Sequence, residues 1–226
     1  MNASIRKALA ITMLFAALPL AQGAETKHNF AQWEKEISAY ERSDATNPPA
    51  KGSYVFIGSS TIRKWKTLAT DFPGEPVVNR GFGGSEIIDS VHFAPRILFP
   101  YAPKKVFFRA GGNDLWAGVP VGEVYSNFMQ FAELTHAQLP DTKIYFIGWS
   151  PSVQRWKQHD KEEKLDALVA AYITGKPYLQ YIKTDDLPMG TNGLPRKELF
   201  VADGLHFSPA GYKLLAARVR PYVMEN

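Results

Sequence analysis

The stretch "VFIGSSTIRKW", residues 55–65, decides the fold, because it joins an apolar run to a helix-like segment through one glycine and two serines. The run 54–57 is rich in β-branched and aromatic residues and is typical of a buried strand. Gly58 ends the run, and Ser59 and Ser60 stand where a helix opens. Two explanations are open. Serine is a favoured N-cap residue, and a serine on a strand-to-helix turn can also be an exposed nucleophile.

The alternation of strand-like and helix-like segments continues along the rest of the chain. Further strands are predicted at 76–79, 105–110, 143–149 and 179–183. These runs are almost continuously apolar, as in a parallel sheet that is covered on both faces. Helical patterns lie at roughly 29–44, 61–69, 85–98, 121–139, 160–174 and 208–220. The sequence therefore predicts a three-layer α/β/α fold around a doubly wound parallel five-stranded sheet of the flavodoxin-like type. If the strand order is the flavodoxin-like 2-1-3-4-5, the first strand lies between the second and the third.

The N-terminal segment is expected to lie outside this domain. Arg6 and Lys7 precede an apolar run over 8–20 and a group of small residues, the pattern of an export signal peptide. We expect residues 1–24 to be a signal peptide, cleaved after Gly23 or Ala24. Residues 25–226 then form a single domain in the periplasm or outside the cell. The apolar run is too short for a membrane span.

Composition argues against several classes of partner and cofactor. The 226 residues carry 26 Lys and Arg against 22 Asp and Glu, a formal net charge of +4, which is too weak to predict a nucleic-acid partner. The chain contains no cysteine, so neither disulfides nor thiolate metal sites are available. Its histidines lack metal-ligand spacing, so no metal site is expected. Nothing in the sequence indicates an oligomeric state.

The loops that follow the strands hold the groups that acyl transfer needs. In an open parallel sheet the loops after strands one, two and three converge at the switch point. These loops read "GSS" (58–60), "NRGFGGSE" (79–86) and "GGNDLWAG" (111–118), and "DGLHFSPAGY" (203–212) follows strand five. Each alone also has a plain explanation as a turn, a cap or a surface segment.

Together these loops offer a nucleophile, a base and an oxyanion site. A serine hydroxyl needs a base near neutrality, which histidine supplies. An aspartate three residues before that histidine, as in Asp203 and His206, can fix its tautomer. A glycine N–H after strand two, the Asn113 amide after strand three and the N–H of the nucleophile are the expected oxyanion donors.

With its four blocks in this order, the chain resembles the SGNH hydrolases of the GDSL-type lipase/esterase superfamily, in an exported bacterial branch with a GSS first block. The resemblance covers about 33–221. It implies a serine ester hydrolase that works through an acyl-enzyme without a cofactor. It assigns the nucleophile to Ser60, the orienting acid to Asp203, the base to His206, and the oxyanion hole to Ser60, Gly84 and Asn113. Ser59 stands where the family's first block has aspartate, and it is the alternative nucleophile.

Other residues near the predicted strand ends are expected around the same site. The rim consists of Trp116, Trp149, Arg155 and Trp156. These side chains either bind a sugar ring or an acyl chain, or pack the loops on the scaffold. Asp114 is expected to order its loop, and Phe207 to pack beneath His206. Arg80 and Arg109 are expected to form ion pairs with local carboxylates, the alternative being that they bind an anionic group.

The expected partner is a small-molecule or carbohydrate ester with a short acyl group, for example an O-acetyl group on a sugar. A lipid ester, of the lysophospholipase or thioesterase type, is the alternative. The sequence shows no long amphipathic lid or membrane-docking helix, which favours the short acyl group and argues against stable membrane insertion. A non-catalytic binding module on the same fold is the rival from a different functional class.

Overall fold

Five parallel strands form one sheet in the order β2-β1-β3-β4-β5. They are β1 (Tyr54–Gly58), β2 (Val77–Gly81), β3 (Lys105–Arg109), β4 (Lys143–Ile147) and β5 (Leu179–Ile182). The computed structural model describes residues 28–225, so the predicted signal peptide at 1–24 lies outside the described residues. All four strand pairings are parallel. The predicted fold class is confirmed, and the observed strand order is the flavodoxin-like order considered for it.

Helices cover both faces of the sheet. They are α1 (Glu34–Thr46), α2 (Ser60–Arg63), α3 (Leu68–Asp71), α4 (Ile87–Ile97), α5 (Gly112–Ala117), α6 (Val121–Gln138), α7 (His159–Ile173) and α8 (Pro209–Met224). Because side chains alternate along a strand, β1 sends Val55 and Ile57 into one core and Phe56 into the other. The first core packs against α1, α4, α6 and α7, and the second packs against α2, α3 and α8. Both faces of the strand are buried, which explains its unbroken apolar run.

Two segments differ from the sequence prediction. The helix expected at 61–69 is divided into α2 and α3, because the intervening Trp65 turns into the second core and donates its indole N–H to Asp71 over 2.6 Å. The segment expected to be a loop at 111–118 contains α5. Gly111 and Gly118 flank this short helix with φ values of 109° and 91°, a conformation that glycine adopts without strain.

Helix α1 packs on the first face, beside β2 and α4, where it supports the loop that follows β2. The Tyr40 hydroxyl donates to the Gly81 carbonyl over 2.5 Å. Asp44 pairs with Arg80 over 2.5 Å, which confirms the predicted ion pair of that arginine. On α4, Arg96 forms ion pairs with Glu34 and Glu41 of α1. Within residues 28–225, no helix has the length and apolar character needed to cross a membrane.

Candidate active site

The turn between β1 and α2 presents Ser60 just beyond the carboxyl end of β1. Gly58 has a φ of 139°, and a Cβ atom there would lie 2.0 Å from the backbone oxygen of Arg109 on β3. Only glycine fits so close an approach. Ser59 occupies the N-cap position of α2, but its side chain makes no capping hydrogen bond. The N-cap explanation therefore accounts for neither hydroxyl, since Ser60 is already the first residue of the helix.

Ser60, His206 and Asp203 form one chain of hydrogen bonds. The distance from Ser60 Oγ to His206 Nε2 is 2.9 Å, and that from His206 Nδ1 to Asp203 Oδ2 is 2.6 Å. The other carboxylate oxygen of Asp203 accepts the backbone N–H groups of Leu205 and His206, each over 2.9 Å. This carboxylate therefore both shapes its turn and orients the imidazole.

The carboxyl of Asp203 stays ionised in this arrangement. Desolvation alone would raise its pKa, but hydrogen bonds from the His206 ring and from two backbone N–H groups outweigh it and hold the pKa well below its usual range. An ionised acceptor next to Nδ1 favours the tautomer in which Nδ1 carries the proton. His206 Nε2 is then free to accept the proton of Ser60.

One cation beside this group was not anticipated from the sequence. Lys64 Nζ lies 3.1 Å from His206 Nδ1. Lys64 closes the turn that Ser60 opens, because its N–H donates to the Ser60 carbonyl over 2.9 Å. The spacing of four residues places both side chains on one face of a helical turn. From that spacing, the sequence could have predicted that Lys64 lies on the same side of the turn as Ser60.

The amide of Asn113 lies on α5 and connects three loops. Its Nδ2 donates to the carbonyl of Ser85 over 2.9 Å, and its Oδ1 accepts from Arg155 Nη1 over 2.9 Å. The same Arg155 nitrogen lies 3.1 Å from the carbonyl of Gly112. An amide nitrogen carries two hydrogens, so one N–H of Asn113 remains for a further acceptor.

Gly84 lies against the ring of Trp33, in the N-terminal part of the domain. Its φ is 85°, and a Cβ atom there would come within 3.2 Å of the Trp33 ring. The next residue, Ser85, accepts the Asn113 hydrogen bond. The block containing Gly84 is thus tied to α5, although Gly84 itself does not line the small cavity described next.

A cavity of about 60 Å³ opens beside Ser60. Its lining includes both serines of the GSS block and the residues Asn113, Trp149, Arg155, His206 and Phe207. Phe207 is buried against Phe200, with ring centroids 5.5 Å apart. The structure therefore brings together, around one cavity, residues from the loops after β1, β3 and β4 and from the segment before α8.

The predicted rim residues divide into two groups. Trp149 and Arg155 line the cavity, and the Trp149 side chain is buried. Trp116 is 55% exposed. The Arg155 guanidinium lies over the Trp116 ring, 5.2 Å from the ring centroid. Trp156 stacks on His159 at 4.5 Å. Neither Trp116 nor Trp156 lines the cavity within the described part of the chain. Their positions agree better with loop packing than with direct contact at Ser60.

Two further predicted roles have different outcomes. Asp114 orders its surroundings as expected, because Oδ1 accepts the N–H of Ile87 over 3.1 Å. Burial raises the pKa of this carboxyl to about 7. For Arg109 the predicted ion pair is wrong. Its wholly buried guanidinium donates to the carbonyl of Gly148 and to Thr184 Oγ1, and forms no ion pair in the described range 28–225.

Among residues 28–225, no three His, Cys, Asp or Glu side chains converge as a metal site would require.

No curated protein matches the chain. A family model, that of the GDSL-like lipase/acylhydrolase family, matches residues 53–214.

Several solved structures share the fold. A protein from Streptococcus pneumonia matches with a TM-score of 0.76 and 22% identity, over 86% of this chain and 94% of that one. A GDSL-like lipase from Bacteroides thetaiotaomicron matches with a TM-score of 0.70 and 18% identity, over 86% and 98%. An acetylxylan esterase from Geobacillus stearothermophilus matches with a TM-score of 0.62 and 14% identity, over 78% and 96%. By the family match and the shared α/β architecture, this chain belongs to the GDSL-like lipase/acylhydrolase family and is an ester hydrolase of the SGNH type.

Proposed function

We propose that the chain hydrolyses short-acyl carboxylic esters, such as O-acetyl groups on carbohydrates, with Ser60 as the nucleophile. The hydrogen-bond chain from Ser60 through His206 to Asp203 is the observation that carries this proposal. His206 Nε2 takes the Ser60 proton as Oγ attacks the ester carbonyl, and then gives it to the leaving alcohol. Water attacks the acyl-enzyme by the same route and regenerates Ser60. The ionised Asp203 stabilises the imidazolium that forms in each step.

The negative oxygen of the tetrahedral intermediate is held by three N–H donors. They are the second amide hydrogen of Asn113, the backbone N–H of Ser60 and the backbone N–H of Gly84. Two observations support this assignment: Asn113 is held from both ends, and its partner Ser85 directly follows Gly84. The Ser60 N–H lies in the first turn of α2, where helix N–H groups have no partner within the helix.

The size of the cavity supports a short acyl group. A cavity must offer roughly 10–15 Å³ to hold one water, so about 60 Å³ accommodates a few heavy atoms and no long alkyl chain. The neighbour from Geobacillus stearothermophilus is an acetylxylan esterase, and its catalytic mutants replace a serine and a histidine with alanine. The signal-peptide pattern at 1–24 supports action on an ester in the periplasm or outside the cell.

A series of p-nitrophenyl esters from acetate to palmitate tests this proposal. We expect kcat/KM to be highest for acetate and to fall with chain length, because longer chains exceed the cavity. Ser60→Ala should lose activity by about a thousandfold or more, whereas the neighbouring Ser59→Ala control should keep most of it.

Each other outcome favours one of the alternatives. A maximum at long chains would favour a lipid ester over a short acyl group. Activity that survives Ser60→Ala and is lost in Ser59→Ala would move the nucleophile to Ser59. A wild-type protein that is inert on every ester, and that binds an ester without cleaving it, would favour the non-catalytic binding module.

A further inference from the structure

A second, larger cavity lies next to the site, on the face of the sheet that α2, α3 and α8 cover. Its volume is about 570 Å³, within the range typical of small-molecule sites. Its apolar lining comes from Phe207, Pro209, Tyr212, Ala216 and Ala217. Phe207 lines the small cavity beside Ser60 as well. The two cavities are thus neighbours that share one aromatic side chain.

The polar lining of the larger cavity is strongly positive. Its cations are Lys64, Lys66, Lys213 and Arg220. All four residues are exposed, and within residues 28–225 none of them pairs with a carboxylate. Asp71 is the single carboxylate of the lining, and its Oδ2 already accepts hydrogen bonds from Trp65 and Thr67. Four cations that share a concave surface favour a negatively charged ligand.

Lys64 connects this positive cavity to the reacting groups. It follows Ser60 by one helical turn, a rise of about 6 Å, and its Nζ lies 3.1 Å from His206 Nδ1. A group attached a few bonds beyond an ester at Ser60 therefore reaches the cavity mouth. In the proposed reaction, the acyl side of the same ester occupies the small cavity beside Ser60.

We propose that the larger cavity binds a negatively charged group on the alcohol portion of the ester that Ser60 cleaves. This inference rests on the proposed function and adds the class of alcohol. The apolar part of the alcohol packs on Phe207 and Ala216, while its anionic group lies among the lysines and Arg220. In the reaction the acyl group passes to Ser60, the alcohol leaves with the proton from His206, and its anionic group is unchanged.

Two acetate esters that differ only in charge test the inference. One is the acetate ester of phloretic acid, whose remote carboxylate is anionic, and the other is that of phloretic amide, which is neutral. Their phenol leaving groups have closely similar reactivity. We expect the wild-type protein to prefer the anionic ester in kcat/KM, and we expect the preference to shrink when added salt screens the cations.

Charge-reversal variants test which cations cause the preference for the anionic ester. Lys66→Glu, and separately Arg220→Glu, should lower the anionic-to-neutral ratio of kcat/KM by roughly fivefold, the size of an interaction of about 1 kcal/mol. Lys35→Glu is the matched control. It changes the net charge equally, but Lys35 is exposed on α1, on the opposite face of the sheet. It should leave the ratio unchanged.

The possible outcomes separate this inference from the proposed function. If the neutral ester is hydrolysed through Ser60 and the anionic ester is not preferred, the anion site is wrong while the esterase mechanism stands. A ratio that falls equally in Lys35→Glu would attribute the preference to net charge and also overturn the site. If neither ester is cleaved and Ser60→Ala behaves as wild type, the proposed function itself fails.

Discussion

The guanidinium of Arg155 holds the side-chain amide of Asn113, with Nη1 2.9 Å from Oδ1. Arg155 follows β4, and Asn113 lies on α5, which follows β3. The contact fixes which end of the amide is the oxygen, because a cation donates only to Oδ1. It therefore directs the amide nitrogen toward Ser85 and the cavity. Arg155 was expected either to bind substrate or to pack the loops, and this contact favours a positioning role.

We predict that Arg155→Met lowers kcat by about tenfold and leaves KM nearly unchanged. The reason is that a misdirected amide loses part of the oxyanion stabilisation, for which a whole donor is worth about 10²–10³ in kcat. Steady-state kinetics on p-nitrophenyl acetate measure both constants. Arg155→Lys, which keeps the charge but loses the planar fork, should recover only part of the loss.

A double-mutant cycle with Asn113→Ala distinguishes this role from direct substrate binding. If Arg155 acts through Asn113, the double variant should be no slower than Asn113→Ala, because the interaction is already lost. A rise in KM alone in Arg155→Met, with additive effects in the cycle, would instead support the original expectation that Arg155 contacts the substrate.

We predict that Asp203→Asn lowers kcat by about 10³–10⁴, because the amide neither holds the imidazole in the correct tautomer nor stabilises its charged form. The turn itself should survive, since the asparagine Oδ1 can still accept the N–H groups of Leu205 and His206. Circular dichroism and the melting temperature check the fold, and kcat/KM checks the role. A loss of less than tenfold would show that His206 is oriented by another group.

We predict that Gly58→Ala destabilises the protein by several kcal/mol or prevents folding. The new Cβ would lie 2.0 Å from a backbone oxygen of β3, and a φ of 139° adds strain of about 1–3 kcal/mol. Gly52→Ala is the matched control. Its φ of 76° is also positive, but no atom lies within 4 Å of the added Cβ. Urea unfolding of both variants separates the clash from the strain, and equal losses would contradict the close approach.

We predict that stability falls as pH rises from about 4 to 7, in part through the carboxyls of Asp114, which is buried, and Asp166, which is half-buried on α7. Burial raises the pKa of both Asp114 and Asp166 from 3.8 to about 7. Between these values the folded protein keeps protons that the unfolded chain has lost, so unfolding becomes easier as pH increases. The contribution is fully present below about pH 4 and is lost as pH passes 7.

Urea unfolding at several pH values checks this expectation. Asp114→Asn and Asp166→Asn should each reduce the slope of unfolding free energy against pH over that window. An exposed control, Asp141→Asn, should leave the slope unchanged. If the Asp114 and Asp166 variants both keep the wild-type slope, the prediction is wrong.

The sequence by itself determined the positions of the strands and the four loops that carry the reactive groups. Both are local properties: strands buried on two faces must be continuously apolar, and the block at 58–60 must end its strand with a glycine. Asp203 and His206 are three residues apart, so their contact was also readable. The order of the strands then placed these loops at one edge of the sheet.

Only the tertiary structure decided the contacts between residues far apart in the chain. The hydrogen bond from Arg155 to Asn113 joins loops from two strands, and the approach of Lys64 Nζ to His206 brings together residues 142 apart in the chain. The break between α2 and α3 follows from Trp65 entering the second core. The two cavities likewise depend on how helices and loops pack. Such features depend on three-dimensional distances between separate elements, which no local pattern of residue types contains.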